Sequence, residues 1–261
     1  MKSRTIAFAV VALMLLSGLA VAQKAQTSDI HLFQNFFKDA VITQAPYGEA
    51  GLNYGSYDGA SSLAIGVQGG YPVNPKLEVG VGLNFLSWSY DGGGSESGIS
   101  DLLVSGRYLL KPGPTQMTAG AYLTLPIGGE EVGQGTLDFG MFGATRHKLD
   151  NKMIITGTVG IDFLEYKTYS YDIDYTTGEF TEKEKSKRET SIVLGGGLIY
   201  AVDKALNIVG ELVLKTEVDY MMLSGAVDYT MGGGHLRGGL GLGLDDGAPD
   251  LLIMGSYLMH F

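Results

Sequence analysis

From residue 47 onward, apolar and polar positions alternate with period two. Between residues 61 and 71, Leu63, Ile65, Val67, Gly69 and Tyr71 share one face, and Ser62, Ala64, Gly66, Gln68 and Gly70 share the other. From Leu77, Val79, Val81, Leu83 and Phe85 alternate with Glu78, Gly80, Gly82 and Asn84. Met117, Ala119, Ala121, Leu123 and Leu125 alternate with Gln116, Thr118, Gly120, Tyr122 and Thr124. Such faces belong to strands and not to a helical stripe. The pattern predicts about twelve strands, over 47–57, 61–71, 77–89, 100–110, 116–127, 136–147, 153–166, 189–200, 205–219, 221–231, 235–244 and 250–261. Most approach the ~9–11 residues of a tilted strand that crosses a bilayer.

The connectors alternate as well. Val73-Asn74-Pro75, Lys111 to Pro114, Leu149-Asp150-Asn151, Ala201-Val202-Asp203 and Gly232-Gly233-Gly234 are short. Asp91 to Ser100, Gly128 to Gly135 and Tyr166 to Arg188 are longer and polar. Short turns at one rim and long loops at the other are the asymmetry of outer-membrane barrels, with the short turns periplasmic.

The amino terminus reads as an address. Lys2 and Arg4 precede an apolar run from Ile6 to Leu16, which ends in Ala20-Val21-Ala22. A positive start, a short apolar core and small residues at the end mark a secretory signal peptide, with cleavage expected after Ala22. The run is short of the ~20 residues of a spanning helix. Later apolar runs are broken within a few positions. If this chain enters a membrane, it does so as a closed sheet, because only helices and barrels satisfy their backbone in lipid. The fold expected is therefore all-β: an antiparallel transmembrane β-barrel of about twelve strands over 47–261, after a signal peptide (1–22) and a periplasmic segment (23–46). The localisation expected is the bacterial outer membrane.

Composition narrows this further. Gly is 40 of 261 residues, about twice the usual ~7%. The chain has no Cys, which removes disulfide scaffolds and Cys-ligated metals. The formal charge of −10 argues against a nucleic-acid partner.

Charge also fixes the faces. Glu49, Glu78, Asp101, Arg107, Asp138, Arg146, Asp162, Glu211, Lys215, Asp228 and Arg237 fall on the less apolar parity, with Tyr122. These are the candidate lumen-lining residues, since Arg or Lys facing mid-bilayer lipid costs ~2–4 kcal/mol. Two states of that lumen remain open. A wet lumen, acidic on balance, would pass cations or neutral solutes. A filled one would have Arg107, Arg146 and Arg237 paired with acids and would block flow.

The last segment places Leu251, Ile253, Gly255, Tyr257, Met259 and Phe261 on one face. Tyr257, Met259 and terminal Phe261 resemble the signal read by the barrel assembly machinery. A wider resemblance rests on Gly98-Ile99-Ser100-Asp101-Leu102, Gly106-Arg107-Tyr108, Leu125-Pro126-Ile127-Gly128, Gly160-Ile161-Asp162 and Asp245 to Asp250. These residues resemble the outer-membrane barrel family named for the meta-pathway of phenol degradation, over roughly 47–261. The resemblance implies an exported transporter and a hydrophobic or aromatic solute. Trp88, Tyr90, Tyr122 and Phe142, on the inner parity, would meet such a solute or simply fill space.

Two further stretches stand apart. Ile30, Phe33, Phe37 and Val41, with Leu32 and Phe36, follow roughly helical spacing and predict either a short helix, plugging the periplasmic mouth or lying at the membrane interface, or an extended leader before the first strand. Residues 166–188 predict an outward hairpin turning at Thr177-Gly178, with Lys185, Lys187 and Arg188 on a solvated ribbon.

Enzyme chemistry is not expected. His31, His147, His235 and His260 form no Ser-His or Asp-His motif in sequence, and no pair has zinc spacing. Glu130-Glu131 and Asp245-Asp246 could hold calcium in extracellular loops, but two adjacent acids do not make a full oxygen-ligand set. No metal and no cofactor are expected. The partners expected are outer-membrane lipid, the assembly machinery and a small hydrophobic solute. The function expected is a channel or transporter for small solutes, with a non-conducting structural or surface-interaction barrel as the alternative.

Overall fold

A computed structural model describes residues 30–129, 132–133, 135–173 and 180–261. The leader, Glu130-Glu131 and the Thr177-Gly178 turn lie outside the described residues. The strands are β1 (Tyr47–Tyr57), β2 (Ala60–Asn74), β3 (Leu77–Tyr90), β4 (Ser95–Ile99), β5 (Leu102–Lys111), β6 (Thr115–Leu125), β7 (Asp138–Lys148), β8 (Met153–Ile173), β9 (Phe180–Ala201), β10 (Leu206–Lys215), β11 (Tyr220–Met231), β12 (Gly234–Gly243) and β13 (Leu251–His260). All pair antiparallel, and the pairing of β1 with both β13 and β2 closes the sheet. β4 and β5 pair with the outer and inner halves of β3, so together they form one stave of a twelve-stave barrel.

Closure leaves each strand one face outside and one inside. Outside, Ile65, Val159 and Leu240 are more than half exposed. Inside, Glu78, Asp228 and Glu211 are buried. An apolar surface that encircles the molecule belongs in hydrocarbon, not water. Exposed Tyr71, Tyr108 and Tyr229 sit near the short-turn rim, where aromatic side chains mark a membrane interface. Three short turns share one device, a carboxylate or amide that accepts two backbone N–H groups. Asn74 accepts from Lys76 and Leu77, Asp150 from Lys152 and Met153, and Asp203 from Ala205 and Leu206, at 2.7–3.0 Å. Gly232 and Gly233 take positive φ, the geometry of a two-residue hairpin turn.

Three strand expectations change. The stretch 91–100, expected as a loop, contributes β4, and the stave is interrupted at Ser100 and Asp101. β10 stops at Lys215 rather than 219, because a turn follows in which Asp219 has φ 45°. β8 and β9 run far past 166 and 189 and stay paired from Met153↔Tyr200 to Ile173↔Phe180.

Residues 30–46 lie inside the barrel, touching β3, β5, β7, β10 and β12. The segment forms turns, not the helix its spacing suggested. The reason lies in its backbone donors. Phe33, Gln34 and Asn35 N–H groups donate to the Glu211 carboxylate at 2.5, 3.2 and 3.3 Å, as an open first turn can, but the next i→i−4 pair is diverted: the Ala40 N–H donates to the Asp39 side chain (2.6 Å) and the Phe36 carbonyl accepts from Arg107 (3.3 Å). Inner-face glycines make room for it. A Cβ at Gly80 would collide with the Phe37 ring, and one at Gly195 would lie 2.7 Å from the Asn35 amide.

Candidate functional site

The sheet projects a ring of charged side chains inward, and the luminal segment threads through it. On β3 and β5, Arg107 Nε donates to Glu78 (3.1 Å) and a second nitrogen forms a closer ion pair with it. Glu78 also accepts from Tyr47 OH (2.8 Å), Thr43 N–H (2.9 Å) and Thr43 Oγ1 (2.9 Å). Arg107 Nη1 donates to the carbonyls of Phe36 and Asp39, both at 3.3 Å. On β7, Arg146 donates to the Ile30 carbonyl (2.6 Å) and pairs with Asp39. On β12, Arg237 donates to Glu49 (2.5 Å) and to the His31 carbonyl (2.5 Å), and its Nε lies 3.2 Å from Asp228. Glu49 also accepts from Gln68 (2.7 Å) and Ser256. Each arginine thus holds an acid and a backbone carbonyl of the luminal segment, which satisfies buried donors and buried acceptors together.

Aromatic packing closes the same zone. The Arg237 guanidinium lies 4.1 Å from the Phe33 ring centroid. His31 is buried between Phe36 and Tyr47, with ring centroids 4.7 and 4.4 Å away. Beside the segment lies a cavity of about 90 Å³, lined by Phe33, Glu49, Asn53, Gln68, Asn84 and Arg237 among others. Pockets that hold small molecules begin near ~300 Å³. The inner half of the lumen is packed.

The outer half differs. Lys38 rises from the segment to Asp162 on β8, at 3.0 and 3.1 Å, and passes 4.3 Å from the Tyr122 ring centroid on β6. Lys215 lies 5.0 Å from the Tyr220 ring centroid. Tyr220 OH donates to Gln34 Oε1 at 3.3 Å. Asp138 accepts the Glu165 N–H at 2.8 Å, nearer the outer rim. Trp88 packs against Tyr57 (centroids 5.2 Å apart), Phe142 is buried, and Tyr90 is exposed.

Asp101 sits at the stave interruption rather than deep in the lumen. Asn84 N–H donates to Ser100 Oγ (3.0 Å), and Ser100 N–H donates to the Asn84 carbonyl (2.8 Å). β6 ends at the pair Leu125↔Leu102, so among the described residues β4 has no strand on its far side. The loop after β6 covers that edge. Gly128 N–H donates to Asp101 (3.0 Å), and a Cβ at Gly98 would lie 2.8 Å from Val132 Cγ2. Ile127 and Leu137 of this loop are exposed apolar side chains.

At the last strand, Met259 is exposed, Tyr257 OH donates to the Met231 carbonyl (3.2 Å), and Phe261 N–H donates to the Pro46 carbonyl (2.8 Å). Lys187 pairs with Glu189, and Arg188 with Glu165 at 2.8 Å, on the outer ribbon.

Several partners are not visible in the sequence. Asp39 and Lys38 become ion-pair partners of Arg146 and Asp162. One signal for this exists. The cross-strand neighbours of Arg146 are Gln116 and Thr156. Neither is acidic, so a buried Arg146 needs an acid from elsewhere. An acid–imidazole pair, absent as a sequence motif, also forms, with His235 Nδ1 2.6 Å from Asp228. Its Nε2 has no partner among the described residues, so no hydroxyl there completes a nucleophilic triad. His147 bonds Thr115 (2.6 Å) at the short-turn rim.

Together, the lipid-facing belt, the closed antiparallel sheet and the polar interior define an outer-membrane β-barrel. The chain belongs to the family described as "Putative MetA-pathway of phenol degradation", which matches residues 38–229. That match begins inside the luminal segment, earlier than residue 47, and ends before Asp245 to Asp250. Among solved structures, an outer-membrane channel from Pseudomonas putida F1 is similar at TM-score 0.67 and 16% identity, over 86% of this chain and 98% of that one. The β domain of a Bordetella autotransporter gives 0.55 and 13%, over 83% and 99%. A toluene transporter from Ralstonia pickettii gives 0.51 and 11%, over 85% and 91%. At these identities the likeness is one of fold. No curated protein matches the chain in sequence.

Proposed function

We propose that this protein is an outer-membrane transporter for small apolar or aromatic solutes, which enter from the outer vestibule and leave sideways through the wall. One observation carries the reading. The axial route is packed by residues 30–45 and sealed by buried ion pairs, while one stave is interrupted, at Ser100 and Asp101, and is covered there by the loop that follows β6. A polar solute gains nothing from a lateral exit into hydrocarbon. An apolar one does, at about 25 cal/mol per Å² of surface transferred. The names of the similar structures, an outer-membrane channel and a toluene transporter, support the same reading. No enzymatic role is proposed.

Delivery follows from the same view. Residues 1–22 direct export and are removed, and Tyr257, Met259 and Phe261 are read by the barrel assembly machinery. Residues 23–46 form the segment ahead of the barrel, and its described part, 30–46, supplies the plug.

The test is uptake of labelled toluene into liposomes that contain the protein, with glucose as a polar comparator. Toluene entry above that of protein-free liposomes, with little glucose entry, is the expected result. No excess toluene entry would favour the non-conducting alternative, for which the filled inner lumen speaks.

A further inference from the structure

We propose that Lys215 is the counter-charge of a binding site for small aromatic carboxylates in the outer vestibule; the inference rests on the transport reading above and names one solute class for it. The observation is a mismatch in pairing. Among the cations that face the lumen, Arg107 is paired with Glu78, Arg146 with Asp39, Arg237 with Glu49 and Asp228, and Lys38 with Asp162. Among the described residues, Lys215 makes no ion pair; its contact is the Tyr220 ring. It lies within electrostatic reach of Lys38 and Asp162, but both Asp162 oxygens are already within 3.1 Å of Lys38. Two ammonium groups therefore face one carboxylate, and Lys215 is the one left without a direct ion pair among the described residues.

Nearby acids are committed elsewhere. Glu165 is paired with Arg188 and Glu189 with Lys187. The walls around Lys215 are aromatic. Tyr220 lies beside Lys215, Tyr122 leans across Gly140 toward Asp162, and Gln34 and Lys38 of the luminal segment form the floor. An ammonium group over phenol rings suits a ligand with a carboxylate at one end and a flat apolar ring at the other. The carboxylate replaces water on Lys215, and the ring packs on the tyrosines. A neutral ring leaves the charge unanswered, and a bare carboxylate leaves the rings unused.

Isothermal titration of the full-length protein in detergent micelles with benzoate tests this. Saturable binding is expected, stronger than for acetate or benzyl alcohol. Lys215→Gln should weaken benzoate by about tenfold or more, as for loss of a charge-assisted hydrogen bond, and Lys215→Arg should keep most of it. Heat-modifiable gel mobility checks that each variant is a folded barrel. Equal benzoate affinity in Lys215→Gln, or acetate binding as well as benzoate, overturns the site. Toluene flux in liposomes separates the two readings. Flux without benzoate binding removes only this site. Lys215-dependent benzoate binding without flux keeps the site and removes the transport reading.

Discussion

Arg146 of β7 and Asp39 of the luminal segment form an ion pair sealed inside the barrel, with side chains 3% and 0% exposed. The residues are 107 positions apart in the chain. Removing one partner of a buried pair strands the other charge, which costs about 3–5 kcal/mol. Here the less costly response is for the segment to leave the lumen, where Asp39 regains water. Arg146→Met should therefore open the axial route. Planar-bilayer recordings should show larger and more frequent conductance steps than the parent. An unchanged conductance, with the barrel folded, would mean that this pair does not hold the plug.

The glycines on the inner face are a second handle on the same contact. Gly195→Leu places a side chain where the Asn35 amide sits, and overpacking of this kind costs ~1–3 kcal/mol. At Gly225, on the lipid-facing side of β11 with Leu223 and Val227, nothing lies within 4 Å of the place a Cβ would take, so Leu is accepted there at little cost and serves as the outer-face comparator. Protease cleavage within 30–45 should rise in the first variant and stay at the parent level in the second. Equal cleavage in both would deny the close approach a role.

Barrel orientation in the membrane gives a third test. Val159 is 57% exposed on the apolar belt, and its neighbour Thr158 faces the luminal segment, donating to the Lys38 carbonyl at 2.7 Å. Val159→Arg should destabilise the barrel by ~2–4 kcal/mol in urea titrations with phospholipid vesicles. A cost near zero would contradict a lipid-facing Val159.

The fold is legible in the sequence because each strand carries its own record. Leu63, Ile65 and Val67 against Ser62, Ala64 and Gly66 state which face is which without reference to any other strand. The site has no such local record. Asp39 meets Arg146, and Glu211 meets Phe33, across separations of 107 and 178 residues. The helical spacing of Ile30, Phe33 and Phe37 misleads for the same reason, since Arg107 on the barrel wall takes the Phe36 carbonyl and the Ala40 N–H turns to the Asp39 side chain, so the first turn is not continued. At 91–100, the Gly92 to Gly94 run reads as loop, and only the free edge of β3 draws residues 95–99 into a strand. The long β8–β9 ribbon is partly legible, as alternation past residue 166, although its turn lies outside the described residues.

The lateral route is tested most directly by locking its cover. The chain has no Cys, so Gly98→Cys with Val132→Cys introduces a single disulfide candidate across the loop and β4. In liposomes, toluene uptake through the oxidised double variant should fall to the protein-free level and return on reduction. Uptake equal to the parent with the bridge verifiably closed would contradict an exit through the wall at Ser100 and Asp101.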